Sequence, residues 1–542
     1  MKWLRQRSAT LIQIVLLSAP SIWMLSVIPP LWKDIDAYIQ VTQPPGFQTI
    51  VQYGPLYSLL ARFPLYIGYT IESLRAGEMF PPLTFFLRPT LTDSGVLTLL
   101  FSQHAALCCS AFFLISGVSR FPLIRLLLAG LWAANPLFYS LAHCVGSETL
   151  SLILVLLLAA TGMKIVRRPR KVPKKEWWLF GLLLWLGILT RHLNAILGMI
   201  MPLTFLFFGV HKRIISAFDE SRWARRSQQL WAKRSLQQAL GTIGLGLSCI
   251  ILANICLRGL CNAAHIPHQL QPGYSFLWRL EFLRKVPPDT ANQLLERIAN
   301  NTSTPDVKAL TLQLREAVME TVDWNSTAFM REAHVSLFAA DSDTREKCVQ
   351  TLNQTVRAFL WPPTGVFLKA VATDFAKAGT TTIPNIVQSL FVHTIFYYSH
   401  PDAMPGYASL ATFRDQSPDS IMALYKNHPY FYHRTKFSYA TVWYLWLALI
   451  SLLAFVTNKR GSEMAVVYYA AALVVVGLTI MLASCLLGQF QPRYTLPMWE
   501  LMIISAVIVL GRCLDRALAH WQGVIGPAKA FAMQLKGSQH LH

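Results

Sequence analysis

The chain has 542 residues, of which 54% are hydrophobic and 14% charged, with a net charge of +21, whereas ordinary globular domains carry about 25% charged residues. Its apolar residues come in blocks near the roughly 20 that a helix needs to cross the hydrocarbon core, which excludes a set of soluble domains and indicates a polytopic membrane protein. The position of the charge excludes nucleic acid as a partner: residues 258–436 hold 17 Lys and Arg against 15 Asp and Glu, and the other 31 basic and 12 acidic residues fall largely in short connections between apolar blocks.

In chain order, the apolar blocks cover residues 9–29, 94–117, 121–142, 147–166, 177–190, 194–210, 238–257, 438–456, 464–486 and 495–512. The expected fold class is therefore an all-α polytopic membrane protein with about ten transmembrane helices, within a range of roughly nine to twelve. The basic N-terminus and the run Thr10 to Pro29 lack a small-residue cleavage site, so this block is taken as the first anchor and not a signal peptide. With Lys2, Arg5 and Arg7 inside, alternation puts Arg120, Arg125, the segment Lys164 to Lys175, the segment Lys212 to Arg234 and Lys459-Arg460 all on the cytoplasmic side. The stretch Trp177 to Val210 reads as a short-armed hairpin with Arg191 near its tip, drawn toward the membrane plane, where a charge is costly unless it meets a partner.

Four regions follow: an N-terminal transmembrane module over 1–257 with a first outer loop at 30–93; a mostly helical extracytoplasmic domain at 258–437; C-terminal transmembrane helices at 438–512; and a cytoplasmic tail at 513–542. Stretches such as Ile386 to Tyr398 are apolar but short, and suit helices lying at the interface better than spans, with an extra crossing at Ile383 to Tyr398 as the alternative. Cys108, Cys109, Cys249, Cys256 and Cys485 lie in apolar blocks as small hydrophobes, whereas Cys261 and Cys348 fall in the outer segment and could pair.

The outer face collects the chemistry. Asp34 and Asp36 follow the first span, among Trp32 and Tyr38; a carboxylate at the lipid boundary is partly desolvated and a better base. The alternative is two acidic residues opening a solvated loop. Tyr53-Gly54-Pro55-Leu56-Tyr57 reads as a turn launching an amphipathic helix that runs to about Leu74. His143 and Glu148 sit at the outer start of the fourth span, where Ser147 and Glu148 could equally cap a helix. Arg191 and His192 mark the hairpin tip, and Gln489, Gln491, Arg493 and Tyr494 form a polar cluster between the last two spans. His104, within the second span, reads as a bundle-facing polar residue, and Asp341-Ser342-Asp343 as a solvated loop. Carboxylates can activate a hydroxyl while arginines hold a departing phosphate. That combination suits a donor whose phosphate is attached to a lipid tail.

The order of these motifs resembles the GT-C class of membrane glycosyltransferases, the polyprenyl- or dolichyl-phosphate-sugar-dependent superfamily of protein mannosyltransferases and aminoarabinose transferases. The resemblance runs through Asp34-Ile35-Asp36-Ala37-Tyr38, Gly54 to Tyr57, Ser147-Glu148, Gly187 to Arg191, and Arg493 to Pro497. It covers the first 210 or so residues and the last 55 or so, and leaves the middle domain unmatched. It implies an inverting transfer of a sugar to an acceptor hydroxyl, with Asp34 or Asp36 as base. Arg191, His192, Arg493 and Tyr494 would bind the donor phosphate, and Tyr38, Tyr53, Tyr57, His143, Glu148 and Gln491 the substrates. No metal and no cofactor is expected. The partners would be a polyprenyl-phosphate sugar, a lipid, glycan or protein acceptor, and membrane lipids. The setting would be a bacterial plasma (inner) membrane, with the site on the extracytoplasmic side of the cell envelope. Two other classes compete: a transporter or lipid flippase, which needs polar or broken helices at mid-membrane, and a polymerase or ligase moving whole glycans from a lipid diphosphate.

Overall fold

A computed structural model describes residues 2–32, 35–167, 172–218, 222–266, 268, 272–339, 341–381, 383–399, 417–428, 430–431, 446, 450, 461–488 and 495–538. Asp34, Gln491, Arg493 and Tyr494 lie outside the described residues, as does nearly all of the expected span at 438–456.

The protein is an all-α polytopic membrane protein. Among the described residues, six helices are long and apolar enough to cross a membrane: Arg7–Val27, Asp93–Val118, Ser147–Arg167, His192–Ile214, Arg226–Ala263 and Met464–Leu487. A bent pair makes a seventh. We number the N-terminal helices α1 (Lys2–Val27), α2 (Ile35–Thr42), α3 (Pro55–Arg75), α4 (Asp93–Val118), α5 (Pro122–Ala133), α6 (Pro136–Ala142), α7 (Ser147–Arg167), α8 (Lys174–Thr190), α9 (Ile200–Phe218) and α10 (Arg222–Ala263). Next come α11 (Pro272–Arg279), α12 (Pro288–Asn301), α13 (Pro305–Met319), α14 (Ala328–Leu337), α15 (Ser342–Leu360), α16 (Gly365–Thr380), α17 (Ile383–Ser399) and α18 (Pro418–Asn427). The chain closes with α19 (Gly461–Leu487) and α20 (Leu496–Ser538).

Three expectations change in the structure. The block 121–142 is not one straight span: α5 and α6 meet at 66°. Pro136 supplies no N–H to the ladder, Asn135 Oδ1 caps the new helix by accepting from Leu137 N (3.0 Å), and the carbonyls of Ala133 and Asn135 accept from the Tyr430 hydroxyl (2.9 and 3.3 Å). The helix of the last apolar block does not end near 512, because α20 continues to Ser538. Cys261 and Cys348 are not joined, and all nine cysteines are free. Cys261 is packed into the end of α10 and Cys348 Sγ faces the Ala333 carbonyl of α14 (3.9 Å).

The bundle is held by close backbone approach. Gly162 of α7 faces the Tyr469 phenol of α19, whose hydroxyl donates to the Ala159 carbonyl (3.0 Å), and a Cβ on Gly162 would come within 2.4 Å of that oxygen. Small residues at such crossings let membrane helices pack by dispersion, since lipid gives no hydrophobic drive between them. Within α1, Pro20 breaks the ladder, and the nearby Leu17 carbonyl accepts from the Tyr139 hydroxyl (2.8 Å) and Cys108 Sγ (3.3 Å). Large apolar side chains left exposed on α1 (Leu11, Ile22) and α10 (Leu247, Ile251, Ile255) are the faces that lipid covers.

The segment from Pro272 to Thr380 is a set of short amphipathic helices with its own apolar packing. Arg279 is buried there among Phe282 and Phe367 and paired with Asp374. Asp341 caps α15, accepting from the Thr344 hydroxyl and from the backbone N–H of Thr344 and Asp343, and these bonds hold its carboxyl below the usual range. The sequence Asp341-Ser342-Asp343 is thus a helix start on an exposed surface.

Candidate functional site

A parallel pairing of two residues from each segment organises the site. Leu31 and Trp32 (β1) lie beside Cys144 and Val145 (β2), so the chain leaving α1 is fixed against the turn entering α7. α2, which carries Asp36, follows β1, and Glu148 stands in the first turn of α7, just after β2. The other edge of β1 is covered by α17, whose Thr394 hydroxyl accepts from Trp32 N (2.9 Å). The apolar stretch read as an interfacial helix is therefore docked on the site, with Ile386, Val387, Leu390 and Phe391 buried.

Asp36 is held by a tyrosine. The Tyr53 hydroxyl donates to Asp36 Oδ1 (2.5 Å) and itself accepts from Gln52 Nε2 (2.8 Å). Tyr53 ends a single π-turn (Gln48–Gln52), and local π geometry of this kind turns side chains out of ordinary helical register. Tyr38 lies two residues after Asp36 in α2, beside Trp32 (ring centroids 6.4 Å apart), and burial pushes its phenol up.

The second pole is ionic. Arg191 Nη1 meets Glu148 Oε1 at 3.1 Å, their side chains 25% and 11% exposed. Arg191 caps α8 in extended conformation, after which His192–Met199 forms an unusually long 3₁₀ turn braced by Asn194, whose amide donates to Ser151 Oγ (3.0 Å) and the Gly187 carbonyl (2.9 Å). The cation at the hairpin tip thus meets the partner that its depth requires. Glu500 of α20, 3% exposed, interacts electrostatically with both Arg191 and Glu148. It joins a cluster in which one guanidinium faces two carboxylates.

The loop carrying Tyr53 is locked onto this pole. His192 Nε2 donates to the Val51 carbonyl (2.8 Å). Gly54 adopts φ +85°, and a Cβ there would lie 2.6 Å from the Leu189 carbonyl oxygen and 2.7 Å from that of Thr190. Backbone stacks on backbone where only glycine fits, and Pro55 then starts α3 at its first position. Gly54→Ala is expected to destabilise this docking by about 2 kcal/mol or more, from the left-handed φ and the overlap together. Limited proteolysis of residues 43–54 should accelerate in the variant, and cleavage at the parent rate would rule the lock out.

Two predicted residues turn inward. Tyr57 is buried, donates to Gln103 Oε1 (3.1 Å) and accepts from Gly146 N (2.9 Å), so it clamps α3 to the turn before Ser147; burial pushes its phenol up. Gln103 in turn donates to the carbonyls of Ala142 and Cys144 (3.0 and 3.1 Å). His143 belongs to a relay in the bundle. Its Nε2 donates to the Ile28 carbonyl (2.8 Å), which leaves Nδ1 to accept from His104 Nε2 (3.1 Å), and His104 Nδ1 accepts from the Ser21 hydroxyl (3.0 Å). Burial pushes His143 down to about 4, against the opposing pull of the Ile28 and Pro29 carbonyls, so the ring is neutral at pH 7.

Asp36 meets Tyr53 and Glu148 meets Arg191, and the His192–Val51 bond and the Gly54 packing join the two pairs, with Tyr38 on the loop of Asp36, whereas His143 and Tyr57 hold the surrounding backbone. Sequence reading missed Glu500, Gln103, Asn194 and Ser151. For Glu500 a signal existed, a lone carboxylate inside an apolar block. Among the described residues, no three His, Cys, Asp or Glu side chains converge as metal ligands do.

No family profile matches the chain, and no curated protein matches it. Among solved structures it is similar to the archaeal oligosaccharyltransferase AglB from Archaeoglobus fulgidus, in complex with an inhibitory peptide and a dolichol-phosphate, at 12% identity and a TM-score of 0.40 over 99% of this chain. The match takes in 54% of the archaeal chain, so this protein spans about half its length. A likeness at that level carries no weight for activity, and the functional reading rests on the side chains.

Proposed function

We propose that this protein is an integral membrane glycosyltransferase of the GT-C kind, moving a sugar from a polyprenyl-phosphate donor to an acceptor hydroxyl at the outer face of the membrane. The observation that carries the reading is the Asp36 carboxylate, oriented by Tyr53, on a loop whose Gly54 packs against the carbonyls of Leu189 and Thr190 just before Arg191 of the Arg191–Glu148 pair. Asp36, or Asp34 two residues before it, takes the acceptor proton as the oxygen attacks the anomeric carbon. The bond from that carbon to the phosphate oxygen breaks with inversion, and the lipid phosphate leaves with the electron pair. Arg191, His192, Arg493, Tyr494 and Gln491, the motif residues of the resemblance, are the further candidates to contact donor and acceptor. The chemistry derives from side chains and calls for no cofactor. Lipid, glycan and protein acceptors all present a suitable hydroxyl, and a bacterial plasma membrane is the setting proposed.

The test is incubation of the purified protein in nanodiscs with a panel of polyprenyl-phosphate monosaccharides, following free lipid phosphate against sugar transferred. One member of the panel should release lipid phosphate in proportion to sugar transferred. Sugar lipids carried across vesicles with no covalent product would instead make the protein a flippase, and transfer of whole glycans from lipid diphosphate would make it a ligase.

A further inference from the structure

A groove of about 840 Å³ runs between the first loop and the end of α10, walled by Ile50, Leu59, Phe85 and Leu87 on one side and by Leu260 and Ala263 on the other. A second, more polar cavity of about 440 Å³ adjoins it, shares Pro44, Arg88 and Thr90, and is lined by Tyr38 and Thr42 of α2, the helix that carries Asp36. Two arginines stand along this path.

Arg62 is 1% exposed. Its Nε donates to the Ser58 carbonyl (3.0 Å), its Nη2 to the Gln43 carbonyl (2.7 Å) and its Nη1 to the Phe86 carbonyl. Its described partners are all neutral carbonyls, and a desolvated guanidinium compensated by dipoles alone leaves a strong local positive potential. Arg88 is exposed and lines both cavities, and its guanidinium makes no ion pair or hydrogen bond among the described residues. Beside the groove, α3 exposes Leu59, Leu60, Phe63, Ile67, Ile71 and Leu74 as one stripe, a face of the kind that lies on lipid. The groove is therefore open to the bilayer along an apolar side, cationic at its head, and continued past the cations by polar space.

We propose that this groove binds a lipid whose phosphate carries a further polar group. The chain lies along Leu59 and Leu260, the phosphate between Arg62 and Arg88, and the polar group in the cavity lined by Tyr38 and Thr42. The inference rests on the glycosyltransferase reading for the identity of that lipid, and assigns its phosphate to arginines that the sequence motifs did not include. Arg191 and His192, the motif residues at the other pole, already bond to Glu148 and Val51.

The experiment uses the full chain in nanodiscs with a photoactivatable polyisoprenyl-phosphate monosaccharide as probe. Crosslinks are expected on α3 and the last turns of α10. Arg88→Glu removes a charge-assisted contact and adds a like charge, and Leu59→Trp fills the apolar end; each should weaken probe binding about tenfold or more at an unchanged thermal transition. Arg62 is left intact, since its loss would disturb the loop. Unchanged affinity in both variants, or crosslinks confined to other helices, would overturn the assignment. So would equal competition by phosphatidylglycerol, which would make this an ordinary bilayer-lipid site, or full competition by millimolar inorganic phosphate, which would show an anion site with no use for the chain. Binding that needs Arg88, together with no sugar transfer by any panel member, keeps the groove and refutes the enzyme.

Discussion

Asp36→Asn is expected to lower sugar transfer by about 10²–10⁴-fold, the range that a positioned general base contributes. The substitution keeps the size of the side chain and an oxygen that can accept from the Tyr53 hydroxyl, but it cannot take a proton. Protein level and membrane insertion should be unchanged, because the side chain sits in the loop between α1 and α3 and not in an apolar span. Tyr53→Phe removes the hydrogen bond that orients the carboxylate and is expected to cost far less, about tenfold, in line with the net worth of one charge-assisted bond. The readout is transfer of radiolabel from a lipid-phosphate sugar in membranes with matched protein. Asp34→Asn is run alongside, since either aspartate can hold the base role. If both Asn variants transfer sugar at the parent rate, the chemistry is wrong, whatever the fold.

Arg191→Ala should be the most destabilising single change in the site. Arg191 faces Glu148 directly, so its loss leaves a poorly solvated carboxylate without its cation, with the acidic side chain of Glu500 close by. Breaking a fully buried pair costs about 3–5 kcal/mol, and since a quarter of the Arg191 side chain reaches solvent, we expect about 2–3 kcal/mol here. The check is thermal unfolding in detergent, followed by tryptophan fluorescence. Glu148→Gln in the same background should restore part of the loss by removing the charge left without a partner, and Arg191→Lys should fall between, as it keeps the charge without the planar fork. A double variant no better than Arg191→Ala would show that the pair is not coupled as described.

The span positions were legible because a membrane helix is read from a local property, the mean hydropathy of about 20 residues. Blocks at 94–117, 147–166 and 464–486 became α4, α7 and α19 with ends shifted by a few residues. The hairpin at 177–210 was readable from Arg191 and the shortness of its arms. The bend at Pro136 was less so, because Pro is tolerated within membrane helices whenever a neighbour supplies the lost bonds, and here the neighbour is Tyr430, almost 300 residues away. The role of Gly54 was half legible: the turn was evident, whereas the carbonyls of Leu189 and Thr190 that require a glycine come from another helix. His143 was assigned to the substrates on sequence proximity to Glu148, yet the next three residues turn the chain, so the imidazole points into the bundle and Glu148 toward Arg191.

From its own sequence the chain determined that it lives in a bilayer, where its helices run, and which loops carry the carboxylates and arginines, because hydrophobicity and charge are properties of short windows. Tertiary structure alone decided which of those groups meet. The pairing of Leu31–Trp32 with Cys144–Val145, the Tyr53–Asp36 contact, the addition of Glu500 to the Arg191 cluster, and the groove joining α3 to the end of α10 each depend on segments distant in sequence. Such contacts arise from packing and from the need to satisfy buried polar groups once the helices have assembled, and no window of neighbouring residues encodes them.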